Sequence, residues 1–180
     1  RVAKNPEDIH AVSIAAGGAD VMLGCDIVVA SGTTALSKVE RDTTVAIVNT
    51  EKSITGDFTH NPDWIFPTSE MKEMIAESTG PKNAHFFNGS KLATALMGDS
   101  IASNMFMLGY AFQKGLIPIS LEALDKAIQL NGVAVKLNEQ AFLWGRRAAH
   151  DMDAVLRITD QKDKEKKPAT DEDEGFAKSL

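Results

Sequence analysis

The sequence predicts an α/β fold: a Rossmann-like, mostly parallel sheet flanked by helices and followed by a C-terminal helical segment. The first observation is two short, unbroken apolar runs at 26–30 and 44–49. Such runs are typical of strands that are buried on both faces. The second is a turn and a short helical stretch between them, which makes a strand–helix–strand unit. The third is a series of three helical patterns between residues 92 and 152.

Predicted strands and helices alternate through the first half of the chain. The predicted strands cover 26–30, 44–49, 64–66 and 84–87, and the predicted helices cover 35–40 and 70–78. Between the strands at 44–49 and 64–66 we expect a surface loop, because that stretch is polar. Thr68 is the expected N-cap of the helix at 70–78, and Met71, Met74 and Ile75 form its expected inner face.

The stretch from Leu92 to Pro118 is the most apolar part of the sequence. Gly98 breaks it, and Asp99 is placed to cap a new helix because its carboxylate accepts free N–H groups of the first turn. The residues Ile101, Met105, Leu108 and Phe112 recur at helical spacing and predict one buried face. Gly115 and Pro118 end this helix, which is far too short to span a bilayer.

Asn104 is the amide within that apolar helix. We expect it to be buried and therefore hydrogen-bonded, since a buried amide without a partner costs free energy. Two roles fit this expectation. The amide ties down the backbone of a neighbouring loop, or it faces a partner domain or a ligand.

The predicted helices after Pro118 complete the C-terminal segment. Ser120 caps the first, whose apolar stripe is Leu121, Leu124, Ala127 and Ile128. The second covers 133–152 and carries an apolar face made of Val133, Leu137, Ala141, Trp144 and Ala148. Arg146 and Arg147 in this helix are expected to be solvated or paired with acids rather than to bind a ligand. Residues 160–175 are almost wholly charged, so we predict a domain at 1–159 and a disordered linker at 160–180.

Composition excludes several classes of function. The formal net charge of −6 argues against a general binder of nucleic acid or of anionic membranes. The single cysteine, Cys25, cannot form an internal disulfide or hold an iron–sulfur cluster, and the low count fits a reducing cytoplasm. The sequence shows no signal peptide, and it starts at Arg1 without an initiator methionine. We therefore expect a cytoplasmic piece of a longer polypeptide.

No set of residues has the spacing of a catalytic or metal site. The four histidines are scattered, and no nucleophile elbow is present. Cys25 borders an apolar run, so we expect a buried and unreactive thiol. Gly17 and Gly18 are interpreted as a turn rather than as a phosphate contact. The candidates for cofactor binding are Ser31, Gly32 and Thr33 in the predicted turn, together with Asn104.

Three segments of the sequence resemble a known family. They are GADVMLGCDIVVASG, TVAIVNT followed by GDFT, and above all GDSIASNMFMLGYAFQKGLIPIS. They look like the gamma domain of 2-oxoacid:ferredoxin oxidoreductases, and most like the fused bacterial indolepyruvate ferredoxin oxidoreductases. The family pattern is matched by Asn104, Gly109, Gly115, Pro118 and the segment from Leu121. The likeness covers residues 1–152.

The resemblance implies a function for the parent enzyme. Such an enzyme oxidatively decarboxylates an arylpyruvate to an acyl-CoA and carbon dioxide, and reduces ferredoxin. Thiamine diphosphate with magnesium, and [4Fe–4S] clusters, lie mainly in other domains of such enzymes. The resemblance implies that the gamma domain has a Rossmann-like fold, packs against the other domains and lies near the CoA side of the reaction. The implied partners are the other domains and ferredoxin, and this piece alone is expected to be inactive and to bind no cofactor.

The sequence departs from the family pattern at its start. The family's gamma domains open with a glycine-rich strand–turn–helix, and this sequence begins after it. We therefore expect an unpaired sheet edge, which pairing with a second copy of the chain would cover. A competing hypothesis is a free-standing nucleotide- or CoA-binding module, in which residues 31–34 and the loop at 49–57 line a cleft at the carboxyl ends of the strands.

Overall fold

A three-stranded parallel sheet lies between helices in the computed structural model, which describes residues 5–9, 11–52 and 67–166. The strands are β1 (Val21–Gly24), β2 (Val45–Asn49) and β3 (Ala84–Phe87), in the order β1-β2-β3. Val21 is opposite Val45, and Ala46 is opposite Ala84. The predicted strand at 64–66 lies outside the described residues. The α/β class with a parallel, helix-flanked sheet is confirmed.

The helices pack on both faces of this sheet. They are α1 (Ile27–Ser31), α2 (Thr33–Leu36), α3 (Thr68–Thr79), α4 (Gly89–Met97), α5 (Ser103–Gln113), α6 (Leu121–Asn131), α7 (Val135–His150) and α8 (Met152–Lys166). Three short 3₁₀ helices, at Pro6–Asp8, Pro81–Asn83 and Ser100–Ala102, complete the described elements. No helix in these ranges is long and apolar enough to cross a membrane.

Alternation along β2 separates two cores. Ala46 and Val48 pack with Ile27 of α1 and Ile75 of α3 on one face of the sheet. Ile47 points to the other face, where α4, α5, α7 and α8 bury a larger cluster. Because both faces are covered, the strands consist mostly of apolar residues, as the sequence predicts for β2.

The predicted strand at 26–30 is wrong, because these residues form α1. The Asp26 carboxylate accepts the backbone N–H groups of Val28 at 2.7 Å and Val29 at 3.3 Å, so a helix starts there. Ile27 is fully buried while Val29 is 70% exposed, which is the one-sided burial of a helix. The strand lies earlier, at Val21–Gly24, and the short helix predicted at 35–40 also begins earlier.

The predicted buried face of the central helix is also wrong. Ile101 is 72% exposed, and the side chains that are buried are Phe106, Met107 and Tyr110. Asn104 is exposed rather than buried. Helix α5 packs against both the sheet and α7, so apolar residues occur around its whole circumference. The sequence pattern therefore does not show which side of the helix is buried.

Ser120 caps α6 as predicted, since its hydroxyl accepts the N–H of Ala123 at 3.2 Å. Asp99 accepts the N–H of Ile101 at 2.9 Å, but it caps the 3₁₀ helix Ser100–Ala102 rather than α5, whose N-cap position is Ala102. Thr68 is not the cap of α3 but its first residue, and the cap position is Pro67. The inner face of α3 is confirmed at Ile75, whereas Met74 is 44% exposed.

The end of the chain departs from the predicted linker. Helix α8 continues to Lys166, past residue 160 where the linker was predicted to begin. The α8 side chain of Val155 is 2% exposed, and Lys162 donates to the carbonyl oxygen of Leu96 at 3.1 Å. Residues 160–166 therefore extend the last helix of the domain, and 167–180 lie outside the described residues.

Helices α5 and α7 cross with their backbones in contact. A Cβ at Gly109 would overlap the carbonyl oxygen of Phe142, and a Cβ at Gly145 would overlap that of Phe106. Only glycine permits this approach from both sides. The crossing fixes α7 against α5, and α8 packs in turn on α7 and α4.

Candidate functional site

The carboxyl ends of the three parallel strands meet at one edge of the sheet, which we call the carboxyl edge. It consists of residues 24–26, 49–51 and 87–90. Ligands of open α/β sheets usually bind in the crevice outside this edge. A ligand site is therefore expected at this edge, and its polar groups decide whether a ligand fits there.

The buried side chain of Asn49 occupies the middle of the carboxyl edge. It is 3% exposed, and its Nδ2 donates to the carbonyl oxygen of Cys25 at 3.1 Å and to Ser90 Oγ at 2.9 Å. Its Oδ1 accepts the backbone N–H groups of Gly89 at 2.9 Å and Ser90 at 3.4 Å. The N–H of Glu51 also approaches this oxygen at 3.3 Å. One amide therefore joins the ends of all three strands.

The start of α4 is closed to anions by these bonds. Helix N-termini bind phosphate through free N–H groups of the first turn. At α4, Gly89 and Ser90 donate to Asn49 Oδ1, and Lys91 donates to Asn88 Oδ1 at 2.7 Å. The next N–H, of Leu92, donates to the Asn88 carbonyl oxygen at 3.1 Å. A phosphate here would have to displace protein acceptors that are already well placed.

Ser31, Gly32 and Thr33 lie at the junction of α1 and α2. Ser31 is buried, and its hydroxyl donates to the carbonyl oxygen of Val28 at 3.1 Å. The N–H of Gly32 donates to Val29 at 3.2 Å, and Thr33 is exposed. Two of the three thus bond within α1.

Asn104, the fourth candidate, is on α5 and exposed. Within the described ranges, no hydrogen bond connects it to the α1–α2 junction. The structure therefore does not bring the four candidates into one hydrogen-bonded cluster. The residue that does organise the carboxyl edge is Asn49, whose signal in the sequence is a lone amide at the end of the apolar run TVAIVN.

Cys25 is exposed at the carboxyl edge, so the prediction of a core thiol is wrong. Its position follows from the shift of the strand, because it comes after β1 rather than before a strand. Partial burial of the sulfur raises the pKa of the thiol above its ordinary value of 9.0. A raised pKa keeps the thiol protonated near neutral pH, which opposes a role as nucleophile.

A second polar feature lies along β3. There a groove of about 490 Å³ runs between β3 and α8. His85 faces it with the rings of Tyr110 and Phe87, whose centroids are 4.7 Å apart. Burial, and then the positive charge of Lys114, lower the pKa of His85 below its ordinary value of 6.5. His85 is therefore neutral at pH 7. Burial also raises the pKa of the neighbouring Tyr110 above its ordinary value of 10.0.

The donor set does not fit an iron–sulfur cluster. Such clusters take thiolate ligands from several cysteines, and the chain has one. In the described ranges no group of three or more His, Cys, Asp or Glu side chains is close enough to hold a metal ion. Neither the sheet edge nor the helices thus supply a ligand sphere.

Comparison with models of known protein families gives a match over most of the chain. A family model described as pyruvate ferredoxin/flavodoxin oxidoreductase matches residues 1–148. Neither a search of curated proteins nor a search of solved structures finds a match.

Proposed function

The chain belongs to the pyruvate ferredoxin/flavodoxin oxidoreductase family, and we propose that it is a packing domain of a 2-oxoacid:ferredoxin oxidoreductase whose chemistry takes place on other domains. The parent enzyme would oxidise a 2-oxoacid, release carbon dioxide and pass the electrons to ferredoxin. The proposed substrate class is an arylpyruvate such as indolepyruvate, with CoA as acyl acceptor, on the basis of the sequence likeness described above. The single cysteine supports a reducing, cytoplasmic setting.

The closed carboxyl edge is the observation that carries this proposal. In a catalytic α/β domain this edge holds the ligand. Here the buried Asn49 amide takes up the first two N–H groups of α4 and the carbonyl oxygen of Cys25. Hydrogen bonds of this kind stabilise strand ends without leaving groups that face a ligand. The arrangement suits a domain that supports its neighbours rather than one that binds a cofactor.

The cofactors of the proposed reaction would be held elsewhere. Thiamine diphosphate with magnesium supplies the carbanion chemistry of such decarboxylations, and iron–sulfur clusters carry electrons. The one cysteine of this chain does not fit a cluster. We assign no residue here to either cofactor.

Anaerobic assays with indolepyruvate, CoA, thiamine diphosphate, magnesium and oxidised ferredoxin test the proposal. The isolated chain is expected to reduce no ferredoxin, whereas the full polypeptide or complex that contains it does. Reduction of ferredoxin by the isolated chain contradicts the packing role. A full complex that turns over pyruvate but no arylpyruvate contradicts the proposed substrate class alone.

The competing hypothesis, a free-standing nucleotide or CoA module, places its cleft at the same carboxyl edge. The occupied N–H groups of α4 count against it. Isothermal titration of the chain with CoA and with NADP separates the two hypotheses. We expect no heat of binding, and saturable binding of CoA or NADP by the unmodified chain would favour the module.

A further inference from the structure

A groove between α7 and α8 carries basic groups that the proposed packing role leaves unexplained. It measures about 560 Å³ and is lined by apolar side chains, including Leu143, Trp144 and Ile158. Leu143 is 43% exposed, so the apolar wall opens to solvent. Arg146 and Arg147 stand along it. We call this feature the basic groove.

The two guanidinium groups of the basic groove are held in place without being neutralised. Arg146 donates through Nε to Gln113 Oε1 at 2.9 Å and lies 5.5 Å from the centre of the Phe112 ring. Arg147 lies 4.8 Å from the centre of the Trp144 ring. Within the described ranges the one ion pair joins Arg41 and Asp42. Aromatic faces and a neutral amide orient an arginine, but they leave its charge available to an anion.

The charges around the groove contrast with the rest of the molecule. The whole chain has a net charge of −6, whereas the groove brings together Arg146 and Arg147 with one acid, Asp151. That carboxylate accepts the N–H of Ala154 at 2.9 Å and thereby caps α8. A local basic surface on an acidic protein favours a partner of opposite charge.

We propose that the basic groove docks an acidic amphipathic helix of another domain or subunit of the same enzyme. Its apolar side chains would lie against Leu143 and Trp144, and its carboxylates would pair with Arg146 and Arg147. Open grooves between helices are a recurring site for such helices, because one apolar stripe fills the groove while polar side chains reach its rim. The inference rests on the proposed function, since it names a partner for the packing domain.

Fluorescence anisotropy with the full chain tests the proposal. The probe is a fluorescein-labelled helical peptide with a leucine stripe flanked by glutamates, and its control has glutamine at every glutamate. The acidic peptide is expected to bind, and the glutamine peptide to bind about tenfold more weakly or not at all. Binding of the acidic peptide should also weaken as salt is raised.

Matched charge-removing variants locate the site. Arg146→Gln with Arg147→Gln is expected to weaken binding of the acidic peptide about tenfold. Lys126→Gln with Lys136→Gln removes the same charge from exposed positions and should leave binding unchanged. Leu143→Asp, at a site that is 43% exposed, should also abolish binding.

Three results would overturn the proposal. They are no binding up to about 1 mM peptide, equal binding of the two peptides, or equal loss in both double variants. Self-association of the chain that Arg146→Gln with Arg147→Gln abolishes would assign the groove to a second copy instead. The two proposals are tested independently. Absence of peptide binding would not change the result expected in the ferredoxin assays, and a negative result in those assays would not change the result expected for peptide binding.

Discussion

The side-chain oxygen of Asn49 accepts the backbone N–H of Gly89 at 2.9 Å, which joins the end of β2 to the start of α4. The same side chain donates to Cys25 at the end of β1. The middle strand thus fixes the ends of both neighbouring segments through one buried amide. Both polar atoms of the Asn49 side chain are hydrogen-bonded. Removal of this side chain therefore leaves several of its partners without a hydrogen bond and lowers the free energy of unfolding.

Asn49→Ala is expected to lower the free energy of unfolding by about 2–4 kcal/mol. The substitution leaves the buried N–H of Gly89 and the part-buried carbonyl oxygen of Cys25 without their partner. Urea unfolding followed by circular dichroism measures the loss. Asn104→Ala is the matched control, because that amide is exposed, and it should change stability by less than about 0.5 kcal/mol. Equal losses in the two variants would contradict the role given to Asn49.

The helix crossing gives a second prediction. Gly109→Ala and Gly145→Ala should each lower the free energy of unfolding by about 3 kcal/mol or more, because the new Cβ meets a backbone carbonyl oxygen that cannot move alone. Gly132→Ala is the control for backbone strain, since Gly132 has a φ of 68° and open space around its Cβ position. It should cost about 1–2 kcal/mol. Thermal unfolding of the three variants gives the order, and a larger loss at Gly132 would contradict the close crossing.

Much of the fold follows from local patterns in the sequence. The strand at Val45–Asn49 and the strand at Ala84–Phe87 were predicted because both segments are short and mostly apolar, which is typical of buried parallel strands. The caps at Asp99 and Ser120 were predicted because capping is a local hydrogen bond. Both signals depend on neighbours in the chain, so no tertiary information was needed.

The errors arise where tertiary contacts decide. The run at 26–30 suits a strand by its residue types, but the Asp26 cap and one-sided burial against β2 and α3 make it a helix. Asn104 was expected to be buried because its neighbours are apolar, whereas the helix turns it to solvent. Asn49 was missed because its importance lies in partners about 24 and 40 residues away.

His85 predicts a dependence of stability on pH. Its pKa in the folded chain is below the ordinary value of 6.5, through burial and then through Lys114. The unfolded state therefore binds a proton more readily, so this contribution to stability is complete above pH 6.5 and is lost as pH falls through the folded pKa. Urea unfolding between pH 8 and pH 5, about the range in which histidine titrates, should show this loss. His85→Gln should flatten the profile, whereas His150→Gln, at an exposed site, should not. An unchanged profile in His85→Gln would refute the assignment.

Cys25 gives a prediction about reactivity. Burial raises the pKa of its thiol above 9.0 although the residue is exposed. Because the thiolate is the reactive form, alkylation by iodoacetamide should be slow at pH 7 and should accelerate only at alkaline pH. The rate is measured against pH by mass spectrometry, with free N-acetylcysteine as the reference and Cys25→Ser as the blank. A midpoint below that of the free thiol would mean an activated cysteine and would contradict the structure.

Helix α8 gives the last prediction, which concerns where the domain ends. Val155 is 2% exposed within the larger core, whereas its neighbour Leu156 is 42% exposed. If α8 is an integral layer, Val155→Ala should lower the free energy of unfolding by about 1–2 kcal/mol through lost burial and a small cavity. Leu156→Ala should cost less, although it removes more carbon atoms, because much of its side chain is already in water.

Lys162 extends the same test beyond residue 160. Its ammonium donates to the Leu96 carbonyl oxygen at the end of α4, so Lys162→Met, which keeps the apolar stem, should cost about 1 kcal/mol. Urea unfolding of the three variants distinguishes an integral helix from an appended one. If Val155→Ala and Lys162→Met both leave stability unchanged, α8 is not held by the core and the domain ends before it. If both variants instead lower the free energy of unfolding as expected, the domain ends after residue 162. A helix that contacts the core at Val155 and at Lys162 unfolds together with the sheet.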